Sequence, residues 1–132
     1  MFSSRSHPGG DGTHGRHQRS GRDFIELCKR GAFEEAGEKY WSSDVVSVEA
    51  AGPDPVSKGI DAVRAKGEWW TQNHDIHGVE THGPYVNDDQ FACRFVMDIT
   101  QKASGQRIRM DEVAVYTVRD GKIVEERFFY GQ

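Results

Sequence analysis

The stretch QRIRMDEVAVYTVRDGKIVEERFFY, residues 106–130, decides the fold. It reads as two β runs, 106–118 and 122–130, joined through Asp120-Gly121. Asp-Gly between alternating runs is a strong hairpin signal, because both residues accept the positive φ of a tight turn. In the first run Arg109, Asp111, Val113, Val115 and Thr117 alternate with Met110, Glu112, Ala114, Tyr116 and Val118. Upstream, 90–101 sets Phe91, Cys93, Phe95, Met97 and Ile99 on one face and Arg94, Val96 and Asp98 on the other. A further run at 76–86 completes four antiparallel strands, with Asn87-Asp88-Asp89 and Ala103-Ser104-Gly105 as connectors.

The first half is patterned differently. Asp23 followed by Glu26 resembles a capping box, and Phe24, Leu27 and Cys28 line one helical face. Gly31 interrupts, and Phe33, Ala36 and Tyr40 restart an apolar face, which predicts helices over 23–30 and 33–41. Ser42-Ser43-Asp44 ends the second helix, Val45 to Glu49 reads as a short strand, and Gly52-Pro53-Asp54-Pro55 is loop chemistry. Ile60, Val63, Gly67 and Trp70 then fall at helical spacing, predicting a third helix that ends near Asn73. The expected class is α+β, a curved antiparallel or mixed sheet wrapped around three N-terminal helices. A sheet curled around helices encloses a cavity, the default site for a small molecule.

Composition bounds the partners. The chain has 132 residues and a net charge of −4, enough for one domain. The charge is unevenly spread, +3 over residues 1–22 and −7 over the rest. That first segment holds three of the six His, five of the 15 Gly and, beyond Met1, one large apolar side chain, Phe2. So little apolar surface predicts a disordered tail over 1–22 and a folded domain over 23–132. An acidic body argues against a nucleic-acid partner. No apolar run approaches the roughly 18 residues of a membrane span. Cys28 and Cys93 sit in apolar patterns, which predicts buried free thiols in a reducing, cytoplasmic setting. His74-Asp75-Ile76-His77 and His82 lack zinc-site spacing, and no phosphate loop, nucleophile elbow or dinucleotide fingerprint is present. The expectation is therefore no metal and no cofactor.

Three strings carry a family likeness: Tyr40-Trp41-Ser42-Ser43-Asp44-Val45-Val46, Gly59-Ile60-Asp61-Ala62-Val63, and the run from Tyr116 to Arg127. With the order of elements they resemble the SnoaL-like family of the nuclear-transport-factor-2-like superfamily, over roughly residues 23–131. The resemblance implies a cone-shaped α+β barrel with an internal cavity and a homodimer formed through the open face of the sheet. It leaves activity open, since the superfamily includes isomerases, epoxide hydrolases, polyketide cyclases, dehydratases and binding or assembly domains. Matched to the ketosteroid isomerases, Phe24 stands at the tyrosine position, Glu49 (or Ala50 with one gap) at the base, and Asp111 at the protonated aspartate. The epoxide hydrolase positions hold Val96 with Asp98, and Phe128, which excludes that chemistry. A cyclase-like pairing would set Asp111 beside His74, His77 or His82.

Asp111 is thus the expected principal acid/base, Glu49 the second, and His74 a partner at the rim. Burial and mutual repulsion of two carboxylates would raise one pKa towards neutrality. The competing reading is an ion pair with Arg94, Arg109 or Arg127. Tyr40, Trp69, Trp70, Phe95, Met97, Val113, Phe128 and Tyr130 are the expected ligand walls, although Trp69 and Trp70 diverge by about 100° on a helix and only one can be deep. The function these residues predict is cofactor-independent acid/base chemistry (isomerase, cyclase or dehydratase) on a small hydrophobic carbonyl compound. The alternative is a non-catalytic ligand-binding or association domain.

Overall fold

The computed structural model describes residues 11–131. Its elements run α1 (Asp11–Lys29), α2 (Phe33–Tyr40), β1 (Trp41–Val48), β2 (Val56–Lys58), α3 (Ile60–Asn73), β3 (His74–Asn87), β4 (Gln90–Gln101), β5 (Arg107–Arg119) and β6 (Lys122–Phe129). The six strands form one curved, unclosed sheet in the order β2-β1-β6-β5-β4-β3. Every neighbour pair is antiparallel except β1 with β6. The expected α+β architecture is therefore present.

Local chemistry explains the breaks. The Gly31 N–H donates to the Cys28 carbonyl at 2.9 Å and the Ala32 N–H to the Leu27 carbonyl at 2.8 Å. With Gly31 at φ +76 this is a Schellman stop, which only a residue without Cβ adopts cheaply. Asp120 (φ 54) and Gly121 (φ 78) both take the left-handed conformation that a tight hairpin between β5 and β6 requires. Trp41, read from sequence with the second helix, instead caps α2 in extended conformation and begins β1. A Cβ on Gly37 would come within 2.6 Å of the Trp41 ring, so the bare glycine lets the indole lie across α2.

Helix α1 begins upstream of the expected boundary at residue 23: residues 11–22 of the expected tail belong to it, and residues 1–10 lie outside the described residues. Gly21 is buried, and a Cβ there would sit 3.3 Å from the Phe91 ring, so the helix docks through a glycine rather than an apolar side chain. Asp23 consequently lies inside the helix instead of capping it; it accepts hydrogen bonds from Lys39 Nζ at 2.7 Å and Tyr40 Oη at 2.5 Å. Directly after the Gly52–Pro55 loop, Val56–Lys58, to which the sequence reading assigned no element, form β2, an edge strand paired with Val46, Ser47 and Val48.

The core lies between the helices and the inner face of the sheet. Phe24, Ile25, Leu27 and Cys28 of α1 and Val63 of α3 pack with Phe91, Cys93, Phe95, Ile99, Ala114, Tyr116 and Ile123. Phe91 stacks on Tyr116 with centroids 4.9 Å apart, and Phe24 meets Tyr116 edge-on at 4.8 Å. Both cysteines are free and buried, as the patterning predicts, and burial pushes the Cys28 thiol up to about 12.

Candidate functional site

Register places a group of polar side chains on the inner face. Residues directly opposite on paired strands project to the same side. Ser47 of β1 lies opposite Glu126 of β6, Glu126 opposite Tyr116 of β5, and Tyr116 opposite Phe91 of β4. Phe128, Ala114 and Cys93 form another such row, and Glu112 faces Phe95, which faces Thr81. Inner-face chemistry is thus concentrated where β1, β6 and β5 adjoin, with α3 packed against β1.

A continuous hydrogen-bond chain runs through this corner. Trp41 Nε1 donates to Glu126 Oε1 at 3.0 Å, and Ser47 Oγ donates to Glu126 Oε2 at 2.8 Å. Lys66 Nζ donates to Ser47 Oγ and, at 2.6 Å, to Glu49 Oε2. Tyr130 Oη closes the chain by donating to Glu49 Oε1 at 3.0 Å. The Lys66 ammonium also sits 5.2 Å from the centroid of the Phe128 ring.

Glu112 stands beside this chain without joining it. It is 8% exposed, and among the described residues nothing donates a hydrogen bond to its carboxyl. Burial, reinforced by the Glu49 and Glu126 charges and opposed by Lys66, pushes its pKa up to about 7. Burial likewise raises Glu126, against the two donors that favour its anion. Tyr130 is raised by burial and by its bond to Glu49. A carboxyl that is half neutral near pH 7 can donate a hydrogen bond or a proton, and an adjacent bonded carboxylate can accept one.

The expected residues separate into those that join this site and those that do not. Glu49, Phe128 and Tyr130 belong to it. Asp111 does not face the interior: its side chain is 40% exposed on the outer face, held by Arg94 Nε and Nη2 at 2.9 and 2.7 Å. That bidentate contact keeps its carboxyl below the usual aspartate range. The parity of β5 is the reverse of the expected one; Val113, taken as a ligand wall, is also outside, at 40% exposure. His74 Nδ1 donates to the Trp70 carbonyl at 2.7 Å and its ring stacks on Trp70, so it finishes α3 rather than partnering a carboxylate. Trp70 packs against the core while Trp69 is 61% exposed. Phe95 and Met97 are buried core residues. Tyr40 lies with Arg19, Arg22 and Lys39 along a separate open groove of about 580 Å³.

Ser47, Lys66, Glu112 and Glu126 escaped the sequence reading, although two had signals. Lys66 is three residues after Val63 and four before Trp70, on their face of α3. Glu126 shares the parity of Phe128 and Tyr130.

Comparison with known proteins agrees with this architecture. A SnoaL-like domain model matches residues 17–130. The chain belongs to the SnoaL-like family. A Mesorhizobium loti structure described as a candidate SnoaL-like polyketide cyclase is 53% identical, covering 86% of this chain and 97% of that one, with a TM-score of 0.83. A Jannaschia structure similarly described is 15% identical over 97% and 90%, TM-score 0.71. A Bacillus subtilis candidate isomerase is 16% identical over 88% and 86%, TM-score 0.69, and both distant likenesses concern the fold. Among curated proteins nothing matches this SnoaL-like chain. Among its described residues, no helix is long and apolar enough to cross a membrane.

Proposed function

We propose that this SnoaL-like protein is a cofactor-independent acid/base enzyme acting on a small hydrophobic carbonyl compound, with Glu49 as base and Glu112 as acid. The observation that carries this reading is the buried Glu112 carboxyl, unpartnered among the described residues and raised to about 7. Glu49 takes a proton from the carbon beside the carbonyl. The released electron pair moves onto the carbonyl oxygen, which the Glu112 O–H stabilises by a hydrogen bond. Return of the proton to another carbon gives an isomer; attack of the enolate carbon on a second carbonyl gives a ring, the attacked carbonyl's π pair becoming an alkoxide that takes back the proton held by Glu49. Phe128, Tyr130 and Trp70 supply apolar surface around the substrate. The Mesorhizobium loti protein is described as a candidate polyketide cyclase, with carbohydrate phosphatase in brackets, and the cyclase description falls within this chemistry.

A phenol imitates the enol form of such a substrate, so 2-naphthol is a suitable probe. At pH 6, where Glu112 is protonated, it is expected to bind the wild type and to lose about fivefold in affinity in Glu112→Leu, one hydrogen bond between neutral groups. Asp111→Asn is expected to leave binding unchanged. Equal affinity in wild type and Glu112→Leu overturns the assignment.

A second reading, association, draws on the outer face of the sheet, where Val113, Phe129 and Tyr85 are exposed. A second copy covering that patch makes a homodimer, and light scattering of Phe129→Glu against wild type tests it.

A further inference from the structure

We propose that Trp41, Ser47 and Glu126 form a buried clamp that fixes the Lys66 ammonium, and that the fixed ammonium sets the protonation state of Glu112. This rests on the reading of Glu112 as the site's acid and adds three positioning residues to it. The direction of each hydrogen bond is forced. An ammonium and an indole N–H only donate, so Ser47 Oγ must accept from Lys66 and spend its single proton on Glu126. Both Glu126 oxygens are then occupied, one by Ser47 and one by Trp41. A fully buried Ser47 and a Glu126 only 5% exposed leave no competing water for that geometry.

The arrangement exceeds what surface pairing of Lys66 with Glu49 would need. Exposed Lys–Glu pairs form without support, whereas burying a further carboxylate is unfavourable unless its charge is used. Here the Glu126 charge anchors Lys66 through Ser47 on one side, while Glu49 holds it on the other. Lys66 is thereby held over the Phe128 ring, whose strand partner Ala114 is the next inward-facing residue to Glu112 on β5, and its charge opposes the two anions that raise Glu112. The groups surrounding Glu126 and Glu112 are Cys28 of α1, Glu49 after β1, Lys66 of α3, Cys93 of β4 and Tyr116 of β5, with Tyr130 against Glu49. Lys66 is the cation of that set.

The test needs no substrate. Carboxyl-¹³C glutamate labelling of the full chain gives the Glu112 midpoint by NMR titration. Lys66→Met is expected to raise it by about one pH unit, the lower end for loss of a nearby opposite charge. Ser47→Ala, which breaks the link between Lys66 and Glu126 without adding or deleting an ionisable side chain, is expected to raise it by at least half as much. A wild-type midpoint in Ser47→Ala overturns the clamp, because a merely structural serine does not move a charge on another strand. A measurement on the wild type guards against a misfolded variant: the Lys66 ammonium protons should exchange with water at least tenfold more slowly than those of exposed Lys29. Exchange at the Lys29 rate also overturns the clamp. Failure here with 2-naphthol binding still dependent on Glu112 removes the clamp alone. A responsive Glu112 midpoint in a protein indifferent to the probe removes the enzymatic reading alone.

Discussion

Glu112→Gln is expected to make this protein more stable in mild alkali and to flatten the fall of stability with pH. Glu112 ionises at about 7 in the fold against 4.5 for the free side chain. Between those values the unfolded chain has released the proton that the native state retains. The native state binds more protons there, so unfolding free energy falls as pH rises. Below 4.5 both states are protonated and nothing is lost; above about 7 both are ionised and the loss is complete. At about 1.36 kcal/mol per pH unit, the interval corresponds to about 3 kcal/mol. The variant keeps the shape but has no charge to bury, so the loss is absent. Urea unfolding at pH 5 and pH 8, with midpoint and slope both fitted, measures the difference. Because about 0.8 kcal/mol is already lost at pH 5, the wild type is expected to lose about 2.5 kcal/mol more than the variant between these pH values. Glu126, also raised, is present in both proteins, so the difference reads Glu112 together with its coupling to Glu126 and Glu49. Parallel losses in the two proteins would refute the reasoning, since an exposed or already paired carboxyl contributes nothing in that window.

Asp111→Asn should leave that pH slope unchanged, because a lowered carboxyl contributes stability that is lost only as pH falls through the acid range. Any drop in its urea midpoint at neutral pH should shrink in 1 M salt, as expected for an exposed pair with Arg94. Gly37→Ala should destabilise by about 1–3 kcal/mol through overpacking against the Trp41 ring, and a shift in tryptophan emission reports the displaced indole. Ile99→Ala, at a fully buried position between β3 and β5, should cost about 2–5 kcal/mol in urea unfolding without altering the Glu112 midpoint.

Much of the fold was legible because its signals are local. Gly31, Asp120-Gly121 and the alternation of 90–101 each act through backbone conformation or one strand's two faces, and each reappears in the structure. The start of α1 was not legible. Its N-terminal part docks through Gly21, and a missing side chain leaves no hydrophobic pattern to read. Glu49 could be picked out because it ends a β-branched strand, but β5 offered two plausible faces. Val113 and Val115 look more like core than Met110 and Ala114, yet they lie on the outer face with Arg94 and Asp111. A strand's parity is fixed by its partner's, and β4 carries the unambiguous face: Phe91 lies opposite Tyr116, Cys93 opposite Ala114 and Phe95 opposite Glu112. One residue of register exchanges Asp111 for Glu112 and an exposed ion pair for a buried acid.

That exchange shows how the inner face is divided. Beneath the polar corner, Phe24, Phe91 and Tyr116 form an aromatic layer buried on every side, and it asks nothing of its residues but volume. Beside it, Glu126 and Glu112 occupy inner-face positions that an apolar side chain would fill at lower cost. Glu126 is supplied with two donors, so its burial is partly offset by structure that the fold itself provides. Glu112 is supplied with none among the described residues, and it destabilises the native state above pH 7. A partner from outside the chain that accepts its proton in a hydrogen bond would remove that cost, and would bind more tightly below the Glu112 midpoint than above it. Binding of a neutral probe such as 2-naphthol should therefore weaken as pH rises through about 7, and a pH-independent affinity between 5.5 and 8.5 would mean that the carboxyl does not meet the ligand.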